Sequence, residues 1–375
     1  MARHGPGALR PRLLHLAVAS ALCAAIAGTL RDRTTAQSSA GFADRIAALS
    51  ETGGHFDTDN LISNERSYLR VLPALSLNRR SGGAYLGVGP DQNFSYIAAL
   101  RPSIAFIVDI RRDNMLLHLL FKAIFELART PAEYLALLTG RPNTGGPAAE
   151  GQTSIERIVE RIDAVTPDPR STAAIRSRVE VAIARARVPL SVADRQTIDR
   201  FHRRFIAAGL NLRFESTGRP PRSYYPTYRE LLLARDSSGR HRNFLASDES
   251  FRIVKDLHAS DRIIPVIGDV SGGKALAAIA RTLTAGGERV STFYVSNVEF
   301  YLFYNDRFSR FVENLRRLPR TGDALLIRSL FNQYAYTANG GDQGSASELQ
   351  PMADLLQRFD RGRIRRYTDL LVNRR

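Results

Sequence analysis

The chain has 375 residues, 44% of them hydrophobic, and a formal net charge of +16; that length buries a sizeable core and excludes a disordered polyelectrolyte. Cys23 is the only cysteine, which excludes a disulfide scaffold and a cysteine-built metal site. Of the 53 basic residues only Lys122, Lys255 and Lys274 are lysine, and the arginines fall in scattered pairs such as Arg111-Arg112 and Arg316-Arg317, not in the long block that tracks a nucleic-acid backbone.

In chain order, Arg3, Arg10 and Arg12 form a basic region ahead of the apolar run Leu13 to Gly28, with Ala25-Ile26-Ala27 as one candidate cleavage site and Thr34-Thr35-Ala36 as a second. This predicts a signal peptide and linker over 1–36 and an exported, periplasmic or secreted protein. Uncleaved, the run is a membrane anchor; a start site farther along would leave the protein cytoplasmic. Phe42 to Leu49 reads as an amphipathic helix, and Leu61 to Leu77 as another broken at Pro73. A strand then runs from Ala84 into the turn Gly87-Val-Gly89-Pro-Asp91. Glycine lets such a turn bring backbone close to a ligand, and Asp91 opens a helix whose first amides point outward. A second apolar strand ends in Asp109, 20 positions after Gly89, close to where the ribose-binding acid of a βαβ cofactor unit falls.

Asp113 is positioned to cap a helix over Asn114 to Ala128, in which His118, Lys122 and Glu126 share one face and read as a solvated stripe. Residues 139–153 are a loop by composition. Ser154 to Leu210 is helical and basic, with a capping box at Ser191 and Asp194 and a stop at Gly209. Gly218 to Pro226 reads as irregular, and Ser247 to His258 as a short helix. Strand patterning returns at Arg262 to Asp269, Val290 to Val295 and Ala324 to Ser329, with a helix over Lys274 to Leu283. The pattern predicts an α/β fold with a mostly parallel, doubly wound, Rossmann-like sheet. Its first part spans 37–129, a largely helical insertion between the second and third strands spans 130–250, and the remainder with a basic tail spans 251–375.

The dinucleotide pattern G-x-G-x-x-G lacks its third glycine, because Gln92 stands there. Gly268 to Lys274 has the spacing of a phosphate-binding loop, but Ala275 replaces the hydroxyl that would hold magnesium. Asn297 and Glu299, after the strand at 290–295, place an amide and a carboxylate together as candidate catalytic groups. His55, Asp57 and Asp59 have no further histidine or glutamate at ligand spacing, so no metal site is expected.

Tyr85-Leu-Gly87-Val-Gly89-Pro-Asp91 followed by Phe106-Ile-Val-Asp109 resembles the first two motifs of class I S-adenosylmethionine-dependent methyltransferases. The resemblance implies that Gly87 and Gly89 approach the methionine end of the cofactor and that Asp109 holds the ribose. Asp91, a further candidate cofactor-binding residue, stands where the superfamily often carries a third glycine and sets a carboxylate at a helix N-terminus, where it competes with the cofactor's own carboxylate. It implies further that Asp269 contacts adenine and that Asn297 and Glu299 meet the acceptor. Tyr85 stands where that superfamily usually carries an acid, and Glu65 is a candidate to supply it from the N-terminal arm. Asp-Asn-Leu-Ile-Ser-Asn-Glu near residue 60, Gly-Asp-Val-Ser-Gly and Phe-Tyr-Val-Ser-Asn-Val-Glu also resemble an uncharacterised bacterial methyltransferase-like family over residues 42–331. The expectation is an exported S-adenosylmethionine-binding protein acting on an unspecified acceptor. The alternatives are a non-catalytic nucleoside-ligand-binding protein and a phosphate- or nucleotide-binding protein working through Gly268 to Lys274. A small-molecule ligand is the expected partner; nucleic acid is not, and a membrane only through the N-terminal segment.

Overall fold

A computed structural model describes residues 1–2, 41–58, 60–77, 82–142, 154–216, 225–331 and 344–371. The apolar segment expected to direct export lies outside the described residues, as do Asp59, most of the loop at 139–153 and most of 218–226. The chain divides at Gly41 into two units, and the following concerns Phe42–Arg375.

Six strands form one sheet: β1 (Ala84–Gly87), β2 (Ile104–Asp109), β3 (Ile263–Ile267), β4 (Val290–Ser296), β5 (Arg320–Phe331) and β6 (Ser345–Pro351). Their spatial order is β3-β2-β1-β4-β5-β6. All neighbours are parallel except β5 and β6, which are antiparallel. Every residue of β1 is buried, as suits a central parallel strand covered on each side. β3 carries Pro265 yet stays a strand because it lies at the sheet edge, where a missing N–H costs no ladder bond. β6 has no counterpart in the expected elements. Its sequence, Ser-Ala-Ser-Glu-Leu-Gln-Pro, lacks apolar alternation, and it is a strand because β5 offers it a long partner.

The helices are α1 (Phe42–Leu49), α2 (Leu72–Leu77), α3 (Gln92–Leu100), α4 (Arg112–Leu127), α5 (Pro131–Leu138), α6 (Ile155–Ala164), α7 (Pro169–Arg185), α8 (Val192–Ala208), α9 (Tyr228–Leu232), α10 (Asp248–Ala259), α11 (Ala275–Ala285), α12 (Val298–Tyr304), α13 (Phe308–Arg317) and α14 (Met352–Asp360). Those from α4 to α10 lie between β2 and β3 in sequence. The capping box of Ser191 and Asp194 opens α8, and Gly209 closes it with φ of 54°.

Three local expectations need correction. The helix expected over Leu61 to Leu77 is only α2, and Pro73 lies in its first turn, where its missing N–H is harmless, so it starts the helix instead of breaking it. Asp113 is not a cap: α4 begins at Arg112, with Arg111 in the extended cap position. His118 is not solvated. α4 packs against β2, β3, α7, α8 and α10, and His118 is buried with Phe94 and Phe121 edge-on to its ring. Only Glu126 of the three is exposed.

Candidate functional site

The strand order reverses between β1 and β4: the chain builds outward through β2 and β3, then returns to the other side of β1. In open α/β sheets the crevice beyond the carboxyl ends of such strands is where ligands bind. The glycine turn follows β1 and Ser296–Asn297 follows β4 at the carboxyl ends of these two neighbouring parallel strands.

The turn is buried from Gly87 to Asp91. Gly89 has φ of +81°, which a side chain resists. At Gly87 a Cβ would fall 1.9 Å from Asn93 Oδ1. Asn93 fills the inside of the turn: its Nδ2 donates to the carbonyls of Val88, Gly89 and Pro90, and its Oδ1 accepts from the Tyr85 hydroxyl at 2.8 Å. His118 Nε2 lies 2.9 Å from the Gly89 carbonyl, and burial pushes its pKa down to about 4. Asp91 occupies the N-cap of α3 but makes no side-chain cap; it accepts instead from the Tyr228 hydroxyl at 2.8 Å. Burial pushes its pKa up to about 7. Gln92 Oε1, His118 Nδ1 and both amide atoms of Asn114 are buried with no hydrogen-bond partner, and such groups are commonly completed by water or a ligand.

Asp109 ends β2 beside the turn, but both its oxygens are engaged. Arg111 Nε and backbone N–H donate to Oδ1, and Nη2 to Oδ2 at 2.8 Å. Arg111 Nη1 donates to the Thr58 carbonyl at 2.7 Å.

That last bond belongs to a strap. Residues 50–58 and 60–67 run along the carboxyl edge of the sheet and visit the strand ends in spatial order. Ser50 Oγ accepts from Ile267 N–H and Glu51 N–H donates to the Ile267 carbonyl at the end of β3. Gly54 N–H donates to the Ile110 carbonyl after β2. A Cβ on Gly89, after β1, would lie 3.5 Å from Asn60 Nδ2. Glu65 then reaches β4 and β5: it accepts from the hydroxyls of Tyr294 (2.6 Å), Ser296 and Ser329. Ser67 finally bonds Ser345 of β6. Glu65 is 1% exposed, and burial raises its pKa against the three hydroxyls that lower it. Tyr294 also accepts from Gln92 Nε2 at 3.1 Å, which ties this cluster to the glycine turn.

Glu299, in α12, is held by Arg328 of β5: Nε donates to Oε2 at 2.6 Å and Nη2 to Oε1 at 3.0 Å, with both side chains buried. In this arrangement it is a paired carboxylate and not a free base. Asn297 caps no helix with its side chain and stands beside Ser296, whose φ is +52°. Asp269 forms a turn with Ser271 and receives Arg307 Nη1 at 2.9 Å. At the loop with phosphate-binding spacing, Asp269 N–H donates to Glu51 Oε1 at 2.8 Å and Lys274 Nζ donates to the Ser50 carbonyl. A phosphate there would meet a carboxylate.

The structure thus gathers Gly87, Gly89, Asp91 and Asp109 at neighbouring strand ends. It sets Glu299 into a separate ion pair toward β5 and β6. The sequence reading missed the roles of Asn93, Arg111, Arg328 and Ser329, and the bonds that Tyr294 and Ser296 make to Glu65. Arg111 alone carried a local signal, lying two residues after the acid it neutralises.

A family model described as a domain of unknown function (DUF7790) matches residues 61–148 and 202–375. The stretch between the two matched parts carries α6, α7 and the first part of α8, and α1 precedes the first. No curated protein matches the chain.

Proposed function

The chain belongs to the DUF7790 family, a domain of unknown function, and from that premise we propose that it is a methyltransferase-like, nucleoside-ligand-binding protein with a Rossmann-like sheet, taking S-adenosylmethionine in the crevice between β1 and β4. The observation that carries the reading is the reversal of strand order at a buried glycine turn with an acid at the next strand end. The orphaned polar atoms of Gln92, His118 and Asn114 support it. Gly87 and Gly89 would lie against the methionine portion, Asp109 would hold the ribose once Arg111 yields one oxygen, and Asp269 would approach the base. Asp91, uncharged below about pH 7, would spare the cofactor carboxylate a repulsion. Methyl transfer depends on in-line placement more than on acid–base strength, and Asn297 is the group left to position an acceptor. Export remains part of the proposal; no helix among the described residues is long and apolar enough to cross a membrane.

A second reading, binding without catalysis, is favoured by two specific pairings. Glu299 is taken by Arg328 and Asp109 by Arg111. Both readings require the strap over the crevice to move.

Calorimetric titration of the full chain with S-adenosylmethionine, S-adenosylhomocysteine and ATP tests the proposal. The first two are expected to bind and ATP to give no heat; Asp109→Asn is expected to weaken binding about tenfold or more, as loss of a charged hydrogen-bond acceptor does. No heat with either S-adenosyl compound sinks the reading. Binding with no methyl transfer to any offered acceptor selects the non-catalytic form.

A further inference from the structure

Away from the crevice, a cleft of about 880 Å³ opens beside β6, a size that suits a small organic ligand. Three guanidinium groups from three elements line it: Arg70 from the segment before α2, Arg328 from β5 and Arg358 from α14. They differ in what already holds them. Arg70 is exposed, and its guanidinium makes no hydrogen bond or ion pair among the described residues. Arg328 is 2% exposed and uses Nε and Nη2 on Glu299 and Gln350; Nη1 carries none of those bonds. Arg358 donates through Nη2 to the Asp369 carbonyl, whereas its buried Nη1 has no hydrogen-bond partner and lies 3.9 Å from Asp354 Oδ2.

The acids facing the cleft are Glu348 and Asp354. Asp354 already accepts from Gln350 Nε2 at 2.6 Å, and Glu348 has a partner of its own. The remaining wall is apolar and includes Val71, Leu349 and Leu370. Guanidinium forks match the planar oxygens of carboxylate and phosphate groups. A buried arginine donor left without a partner costs free energy that an oxyanion would recover.

We propose that this cleft binds a small organic anion, with a phosphate or carboxylate head set among Arg70, Arg328 and Arg358 and an apolar body against Val71, Leu349 and Leu370. The site is independent of the nucleoside reading, since none of its residues belongs to the glycine turn. Its occupant pulls on Arg328, and through it on Glu299.

The full chain is titrated with inorganic phosphate, phenyl phosphate and benzoate. At least one of the two aromatic anions is expected to bind more tightly than inorganic phosphate, because only they cover the apolar wall. Arg70→Ala is expected to weaken that binding about tenfold; Arg70 is exposed, so its loss leaves the core intact. Arg358→Lys is the second variant, and Arg185→Ala, far along α7, the control. Weakening in either variant, with the control unchanged, supports the site. No binding by the wild-type chain, tightest binding by inorganic phosphate, binding unchanged in both variants, or equal weakening in the control overturns it. Saturating S-adenosylmethionine separates the two sites, because an anion that binds here is not displaced by it.

Discussion

Asp109 is paired with Arg111 and Asp91 accepts from the Tyr228 hydroxyl, and each partner changes what the acid does. The Asp109–Arg111 pair is nearly buried, with side chains 11% and 7% exposed. Removing one member of such a pair strands the other charge. Arg111→Ala is therefore expected to destabilise the fold by about 3–5 kcal/mol, read as a drop in the urea midpoint. Asp91 behaves differently, because burial raises its folded pKa to about 7. The folded chain then holds a proton that the unfolded chain has released. The stability Asp91 contributes is complete below the ordinary carboxylate range and is lost as pH rises through about 7. His118 has the opposite sign: its folded pKa is down at about 4, so its contribution is present above the ordinary histidine range and lost as pH falls toward 4. Asp91→Asn should remove the Asp91 component alone. The measurement is the difference in melting temperature between variant and wild type at pH 5.5 and pH 8.5, with the variant gaining ground at the higher pH; an unchanged difference refutes the assignment.

Among elements, the strap at residues 50–58 and 60–67 lies along the carboxyl ends of the strands. Backbone bonds fasten it to β3 and to the end of β2, but over β4 and β5 one carboxyl, Glu65, anchors it through three hydroxyls. Ser329→Ala removes a buried donor to that carboxyl and should cost about 1–3 kcal/mol. The change should also speed amide hydrogen exchange in residues 61–68 more than in β1 or β2. Uniform exchange across both regions would show that Glu65 does not hold the strap locally. α7 offers a second test at this scale. It buries Ile175, Val179 and Ala182 and packs against α4, so Val179→Asp should destabilise the fold by about 3 kcal/mol, seen in thermal unfolding. If α7 were a detachable addition, that change would leave the melting temperature of the sheet untouched.

For the molecule as a whole, one sheet holds two distinct polar regions. The glycine turn, Asp109 and the Glu65 cluster sit at the carboxyl ends of its central strands. The Glu299–Arg328–Gln350 chain sits toward β6 and opens on the arginine-lined cleft. Aromatic packing around Phe94, Phe125, Phe244 and His258 fixes α3, α4 and α10 against one another, so the helices between β2 and β3 support the wall behind the glycine turn. Many arginines are neutralised in ion pairs such as Arg112–Asp194, Arg229–Asp163 and Arg316–Asp360, and the formal charge of +16 is the excess of basic over acidic residues. Arg70, in contrast, stands unpaired among the described residues at the mouth of the cleft.

What the amino-acid order determined by itself was whatever depends on near neighbours. The glycine turn, the acid closing β2, the capping box at Ser191 and the apolar runs of β1 to β5 all arise within a few residues, because caps, turns and periodicity are local chemistry. Only the tertiary structure decided which acids are spent. Glu65 meets Ser329 across 264 positions and Arg328 meets Glu299 across 29, contacts with no local pattern. β6 exists only because β5 is there to pair with it. A carboxylate reads alike in sequence whether it is free or neutralised; folding brings it the guanidinium or hydroxyl that settles its charge, since low-dielectric burial makes an unpaired ion too costly to keep.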